Sequence, residues 1–483
     1  MAIDDAPSDA PTKPAGRPLW LNVLIFSGAA AAGLIMYFFL APYLGMTEAP
    51  RRMATIFVVA LVLWVTEAIP LFATSMLVIV MQAWWLALSD DLEVTIQYQD
   101  ILTSLGSPII FLFLGGFILA RAIQKEKIDV QMASVLMRPF GSTPGGIMAG
   151  VMVITAFFSM FMSNTATTAM MIVLIQPLAS RIPADEKFRR GLVLSVPFAA
   201  NVGGIGTPIG TPPNAIALEA LRVRGLDIDF FTWMIFSIPL LLGTLAVMWA
   251  FLLFMFPARS KQFDMTLKHE VSMSFKTITV YVTFAVTVGL WLATPWIDRF
   301  GGPNIPTAVV ALVPAAVFTA TKVITRKDFN NLEWDVLMLI AGGIALGTGL
   351  QLTELDAWLV DAIPSEDMSY WLIVAICCCV VVGLGTVMSH TVATTIVVPL
   401  GIAVAHGVVG NTELQILAVM IAVASSYAVG LPISTPPNAI AYGSGLVSTR
   451  DIMAIGVITS IIGTILIIAT GPAVVGFFLR LML

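Results

Sequence analysis

Two short polar strings interrupt long apolar runs in this chain: Ser163-Asn164-Thr165 and Ser389-His390-Thr391. Each is followed by a Gly/Pro/Thr-rich string, GTPIGTPPN at 206–214 and GLPISTPPN at 430–438. Pro208, Pro212 and Pro213 remove backbone donors and forbid a continuous helix, as do Pro432, Pro436 and Pro437. Glycines in the same stretches permit unwound backbone. Unwound backbone offers carbonyls, and these strings add hydroxyls and an Asn side-chain oxygen, all hard ligands suited to a small hard cation. The amides at a half-helix N-terminus attract carboxylates, worth roughly 0.3–2 kcal/mol per end. Thr165, Thr211, Thr391 and Thr435 add hydroxyls, and no Lys or Arg lies in any of the four strings. The chemistry this suggests is reversible binding of a small anion by neutral donors beside bound cations. A single string of this kind would be ordinary polar packing in a membrane helix. Two matched pairs argue against that reading.

The elements that carry these strings belong in a bilayer. The chain is 58% hydrophobic and 11% charged, which leaves too little polar surface to cover a soluble core. Its mean hydropathy of +0.94 points the same way. Candidate spans of about 20 residues run at 20–44, 52–68, 71–88, 107–124, 231–257, 276–298, 305–323, 334–352 and 453–480, with two broken spans at 189–220 and 413–446. The runs 145–180 and 370–405 are too long for one span and have polar middles, so each is expected to be a re-entrant hairpin. Irregular backbone at membrane depth survives only where protein or a cavity surrounds it. The expected fold is an all-α polytopic membrane protein with about 11 transmembrane helices and two re-entrant hairpins.

The chain also repeats itself. SPIIFLFLGGFILARAIQKEKID at 107–129 resembles WDVLMLIAGGIALGTGLQLTELD at 334–356, SNTATT at 163–168 matches SHTVATT at 389–395, and GTPIGTPPNAIA at 206–217 matches GLPISTPPNAIA at 430–441. The loops around 121–138, 181–190, 259–276 and 322–327 are rich in Lys and Arg, whereas 89–106 and 353–369 carry only acidic charges. Basic loops stay cytoplasmic. That rule places the N-terminus inside, the C-terminus outside, and the two copies in opposite orientation. Arg51 and Arg52 fall on the wrong side of this scheme. The expected organisation is a disordered tail at 1–18, a first helix at 19–51, repeat 1 at 52–257, a cytoplasmic linker at 258–275 and repeat 2 at 276–483. Inverted repeats with broken helices at corresponding positions mark secondary transporters.

Other readings have less support. Cys377, Cys378 and Cys379 are consecutive and are read as packing residues, since adjacent thiols make neither a metal cage nor a disulfide framework. Ser389 and His390 are neighbours in sequence, but a nucleophile and base must converge in space with an orienting acid, so no enzyme is expected. No basic run suggests nucleic acid. Glu67, before Pro70, is read as an interfacial helix end rather than a proton relay. A channel fits broken inverted repeats less well than alternating access does.

WVTEAIP at 64–70, MSNTATT at 162–168, GTPIGTPPN at 206–214 and GLPISTPPNAIA at 430–441 resemble the divalent anion:sodium symporter family of sodium/dicarboxylate and citrate carriers, over nearly the whole chain. The resemblance implies a homodimer in the cell (inner) membrane, with an elevator-like movement of a transport domain against a scaffold. It implies a first sodium site at Ser159, Ser163, Asn164 and the Gly203–Gly206 stretch, with Gly204 and Gly206 as candidates. It places substrate contacts at Asn164, Thr165, Thr391 and Pro432 or Pro436, with His390, Thr211 and Thr435 beside them. A second sodium site would fall at Thr386, Ser389, His390 and Gly430. Here the chain departs from many sodium-coupled members: His390 stands where they have Asn, and Gly385 lies one turn before Ser389. A neutral imidazole is a poorer sodium ligand than an amide oxygen, and a protonated one is itself a cation. The expected function is sodium-coupled carriage of C4 dicarboxylates such as succinate, malate and fumarate. Alternatives are sodium-independent exchange of dicarboxylates, 2-oxoglutarate or citrate, proton coupling, or carriage of sulfate or another oxyanion.

Overall fold

The computed structural model describes residues 18–263, 273–362, 368–406, 409–432 and 434–482. The expected tail at 1–18, apart from Pro18, lies outside them, as does 264–272 of the expected linker. The described residues form helices and no strand. Among the described residues, eight helices are long and apolar enough to cross a membrane: Leu19–Tyr43, Glu48–Thr66, Tyr98–Lys125, Phe230–Met255, Phe275–Arg299, Trp334–Leu352, Tyr370–Val387 and Thr449–Leu481. The sequence suggested more, because several apolar runs fold as shorter helices. Leu71–Trp85 and Thr307–Ala320 are such cases. The runs at 189–220 and 413–446 are each split by their prolines, into Lys187–Gly203 and Pro212–Arg222, and into Asn411–Ser425 and Pro436–Gly443.

The same order of elements occurs twice. Pro108–Lys125 is followed by the short Ile128–Leu136, the helix pair Pro144–Ser159 and Asn164–Arg181, the first broken helix and Phe230–Met255. Trp334–Leu352 is followed by Leu355–Ala362, the pair Tyr370–Val387 and His390–Ala405, the second broken helix and Thr449–Met482. The second helix of each pair begins at the polar string. Ser163 caps the first of these by accepting the Ala166 amide at 3.4 Å. Such a cap satisfies one of the amides that a helix start leaves without an intrahelical partner.

The two copies pack by exchange. Pro108–Lys125 lies on Thr307–Ala320, and Trp334–Leu352 lies on Leu71–Trp85. The aligned Gly-Gly pairs make both approaches possible. A methyl on Gly115 would stand 2.0 Å from the Ala311 carbonyl oxygen, and one on Gly342 would stand 2.2 Å from Ser75 Cβ. Pro212–Arg222 packs against His390–Ala405, and Pro436–Gly443 packs against Asn164–Arg181. Each half-helix after a break therefore serves the polar string of the other copy.

Charges in the loops tie the halves together. Asp328 receives Lys125 Nζ at 2.5 Å and Arg121 at 3.3 Å. Arg224 pairs with Asp356 at 2.7 Å, and Arg190 with Asp451 at 3.0 Å. Arg52, one of the two arginines that fit the loop-charge scheme poorly, is buried between Glu48 at 2.8 Å and Asp91 at 2.5 Å. Its partner Arg51 lies over the Tyr37 ring at 3.9 Å. Both have structural work here that is independent of orientation.

Candidate functional site

Each break is held open by one asparagine. Asn214 Nδ2 donates to the carbonyls of Gly204 at 2.9 Å and Thr207 at 2.8 Å. Asn438 Nδ2 donates to those of Val429 and Leu431, both at 3.0 Å. The two residues preceding the proline pairs, Thr211 and Thr435, share one extended conformation, with φ of -153° and -140°. The last residue of each TPPN string thus reaches back across the gap its prolines create. Trp233 Nε1 donates to the Ile205 carbonyl at 2.9 Å, and Ser237 Oγ donates to that of Gly206 at 3.0 Å. The carbonyls of Gly204, Ile205, Gly206 and Thr207 in the first break each accept a protein donor. A buried carbonyl without one costs energy, and this segment avoids that cost.

Oxygens that could hold a cation converge one turn earlier. Ser159 Oγ lies 2.6 Å from Asn164 Oδ1 and 2.7 Å from the Ala200 carbonyl oxygen. One hydroxyl proton stands among three oxygens, so the cluster is rich in acceptors. Gly204 closes it: a methyl there would come within 2.8 Å of Asn164 Oδ1. Gly206 is turned away toward Met160 and Leu241. Ser163 also points elsewhere, donating to Glu333 Oε1 at 2.8 Å.

The corresponding cluster in the second copy is built differently. Thr386 Oγ1 is spent on the Val382 carbonyl at 2.8 Å, inside its own helix. Gly430 does lie against it, since a methyl at Gly430 would be 2.9 Å from Thr386 Cγ2. His390 Nε2 lies 3.4 Å from Thr211 Oγ1, and its Nδ1 is buried with no partner among the described residues. Thr435 Oγ1 accepts Asn201 Nδ2 at 3.3 Å. Both TPP threonines therefore contact the opposite copy.

Both polar strings open into one cavity of about 340 Å³. Its wall includes Ser163, Asn164, Thr165, Thr211, Ser389, His390 and Thr391, with Pro436 and Pro437 from the second break. Phe72, Phe113, Phe117 and Ile209 supply the apolar part. Thr435 and Pro432 are outside this lining, and no Lys or Arg contributes to it. The geometry offers hydroxyls, one imidazole and the starts of helices on facing sides, around a space sized for a small organic molecule.

The citrate transporter profile matches residues 61–424 and 305–481. The chain belongs to the citrate transporter family. A sodium-dependent dicarboxylate transporter of Staphylococcus saprophyticus is 30% identical over 451 residues, covering 86% of this chain and 85% of that protein. The corresponding protein of Staphylococcus aureus strain USA300 is 31% identical over 436 residues, covering 84% and 82%. A Haemophilus influenzae protein known only as a transporter is 31% identical over 468 residues, covering 93% of each. Among solved structures, the Alcanivorax borkumensis YdaH transporter aligns with a TM-score of 0.55 at 11% identity, over 79% of this chain and 87% of that one. Neisseria gonorrhoeae MtrF aligns with a TM-score of 0.54 at 10% identity, over 92% and 96%. These two share a fold with this chain. The divalent anion carriers that the sequence resembled are thus the right relatives, and this citrate transporter family member is a multi-pass membrane transporter rather than an enzyme.

Sequence reading missed two carboxylates in the cavity wall, Glu333 and Asp335, and the inter-copy contact of Asn201. The repeat contained a signal for the acids. Aligning 107–129 with 334–356 sets Glu333 and Asp335 against Gly106 and Pro108, so the second copy carries charge where the first is neutral.

Proposed function

We propose that this chain is a secondary active transporter of C4-type dicarboxylates, coupled to sodium and working by alternating access of an elevator type. The observation that carries this reading is the shared cavity, where both polar strings and both breaks meet around neutral donors. One carboxylate of the substrate would sit at the start of Asn164–Arg181 with Asn164 and Thr165. The other would sit at the start of His390–Ala405 with Thr391. Each helix start presents amides and a favourable dipole to its carboxylate. The staphylococcal relatives are named as sodium-dependent, which supports the cation, and the Ser159, Asn164 and Ala200 oxygens are its proposed ligands.

The matched order of elements supports two inverted repeats, each with a re-entrant hairpin, and the basic loops support a cytoplasmic N-terminus and an external C-terminus. The first helix, with Trp20, Phe38 and Phe39 exposed, is suited to face lipid, and a homodimer in the inner membrane is part of the same reading. Charge sets the number of cations. A dianion entering an inside-negative cell opposes about 4.6 kcal/mol per 100 mV, so uptake driven by the potential carries more than two cations.

A second reading has one observation in its favour. His390 replaces an amide oxygen with an imidazole, which weakens the second cation site and favours exchange or proton coupling. Succinate counterflow in liposomes separates the two. Sodium-stimulated accumulation is expected. Strong counterflow in sodium-free buffer, unchanged by added sodium, would replace symport with exchange, and sulfate competing as well as succinate would replace both with an oxyanion carrier.

A further inference from the structure

A cavity built for a dianion should not hold carboxylates of its own, yet this one holds Glu333 and Asp335 with no Lys or Arg to balance them. Glu333 is placed with some care. It is the residue before Trp334–Leu352, and its side chain crosses from that helix to the tip of the first helix pair, where Ser163 Oγ donates to Oε1 at 2.8 Å. Ser163 is the cap of Asn164–Arg181, so the Glu333 carboxylate sits at the start of that helix. A helix start is where the substrate carboxylate would be drawn.

Resting on the dicarboxylate reading of the cavity, we propose that Glu333 is an internal competitor for the transported anion: its carboxylate takes the Ser163 hydroxyl in the empty carrier and must give it up when a substrate carboxylate arrives. The residue sets affinity from both sides. It keeps the tip ordered and docked on Trp334–Leu352 when the site is empty, and it repels the dianion once bound, which speeds release. Substrate binding would also free the tip from that helix, a release that alternating access requires. Asp335, more exposed and with no hydrogen bond to the tip among the described residues, adds field but no contact.

The test measures fumarate binding to the purified full chain at fixed saturating sodium. Glu333→Gln keeps the shape and an acceptor oxygen but removes the charge, and should tighten binding roughly five- to tenfold for two unit charges in a cavity partly open to water. The sodium concentration at half-saturation should rise by no more than the same factor, because the field that repels the anion also attracts the cation. A structural defect does not tighten binding, so this readout separates positioning from folding damage. Should Glu333→Gln fail to fold, Glu333→Ala asks the same question and should tighten binding in the same direction. Unchanged or weaker fumarate binding overturns the proposal, and a loss of sodium affinity well beyond about tenfold overturns it in favour of a cation ligand. Asn164→Ala is measured alongside: if it binds fumarate as the wild type does, the cavity reading itself fails whatever Glu333 does.

Discussion

Ser159→Ala removes one oxygen from the proposed cation cluster and leaves the rest of the site in place. The hydroxyl lies 2.6 Å from Asn164 Oδ1 and 2.7 Å from the Ala200 carbonyl, fully buried between the first helix pair and the first broken helix. In the cation-bound state its lone pairs would face the ion while its proton satisfies one neighbour. An interaction with a charged group is worth roughly 1.5–3 kcal/mol, and each 1.4 kcal/mol is a factor of ten, so half-activation by sodium should rise about ten- to a hundredfold. The maximal rate at saturating sodium should fall much less, because the substrate contacts at Thr165 and Thr391 are untouched. The assay is succinate uptake into proteoliposomes across a sodium titration, with lithium or choline holding ionic strength. Ser195→Ala is the control on the same broken helix: its hydroxyl bonds only the Leu192 carbonyl of its own helix, at 2.7 Å. If Ser159→Ala shifts the sodium requirement by less than about twofold, or no more than Ser195→Ala does, the three oxygens are a packing contact and the cation binds elsewhere.

Asn214→Ala and Asn438→Ala each take a donor from two carbonyls, one of which keeps another (Thr207 from the Gly210 amide, Leu431 from Ser434), so each should cost about 1–3 kcal/mol of stability, read as a lower thermal midpoint in detergent. Gly342→Ala would drive a methyl to 2.2 Å from Ser75 Cβ and should abolish folded expression, while Gly243→Ala meets nothing within 4 Å and should be neutral or slightly stabilising. Burial works against ionisation of Asp328, but hydrogen bonds from Lys125 and Thr325 outweigh it and hold its carboxyl well below the usual carboxylate range. A carboxyl so depressed stabilises the fold above its unfolded pKa of about 4 and loses that contribution as pH falls further, so Asp328→Asn should lower the thermal midpoint at pH 7 and converge on the wild type in strong acid. His390→Asn restores an amide oxygen to the second string and should steepen the sodium dependence of uptake, read as a higher Hill coefficient.

Much of the fold was legible because its constraints are local. Proline pairs stop helices wherever they stand, so the breaks at Pro212 and Pro436 could be placed from sequence, and the Gly-Gly pairs showed which helices correspond. Partners across the fold were harder to read. Nothing in the strings says that Asn214 and Asn438 reach back to hold the breaks open, or that Gly115 and Gly342 are needed for contact with the other copy. Two donors to the first break were hidden for the same reason: Trp233 and Ser237, which reach the Ile205 and Gly206 carbonyls, sit on the next helix and are ordinary membrane residues in composition. Helix lengths were harder to read, because an apolar run of 14 or 15 residues, such as Thr307–Ala320 or Leu71–Trp85, looks in sequence like part of a longer one.

The departures from the repeat carry more functional information than the matches. The matched residues build a scaffold that treats both ends of a dianion alike: paired breaks, paired Asn pins, paired Thr contacts to the opposite copy. A symmetric site of that kind has no reason to prefer one direction of loading or one coupling ion. Three positions break the symmetry. His390 puts a nitrogen where Asn164 puts an oxygen, and Glu333 and Asp335 put charge where Gly106 and Pro108 put none. All three changes lie in the second copy and all three line the cavity. They act on the same quantity, the charge that must accompany the anion: the imidazole removes a ligand for one cation, and the carboxylates raise the demand for positive charge. If the proposed function holds, a carrier with this wall would bind its dianion weakly unless cations were present at the Ser159 cluster, and that dependence of substrate occupancy on the ion would turn a binding site into a coupling device.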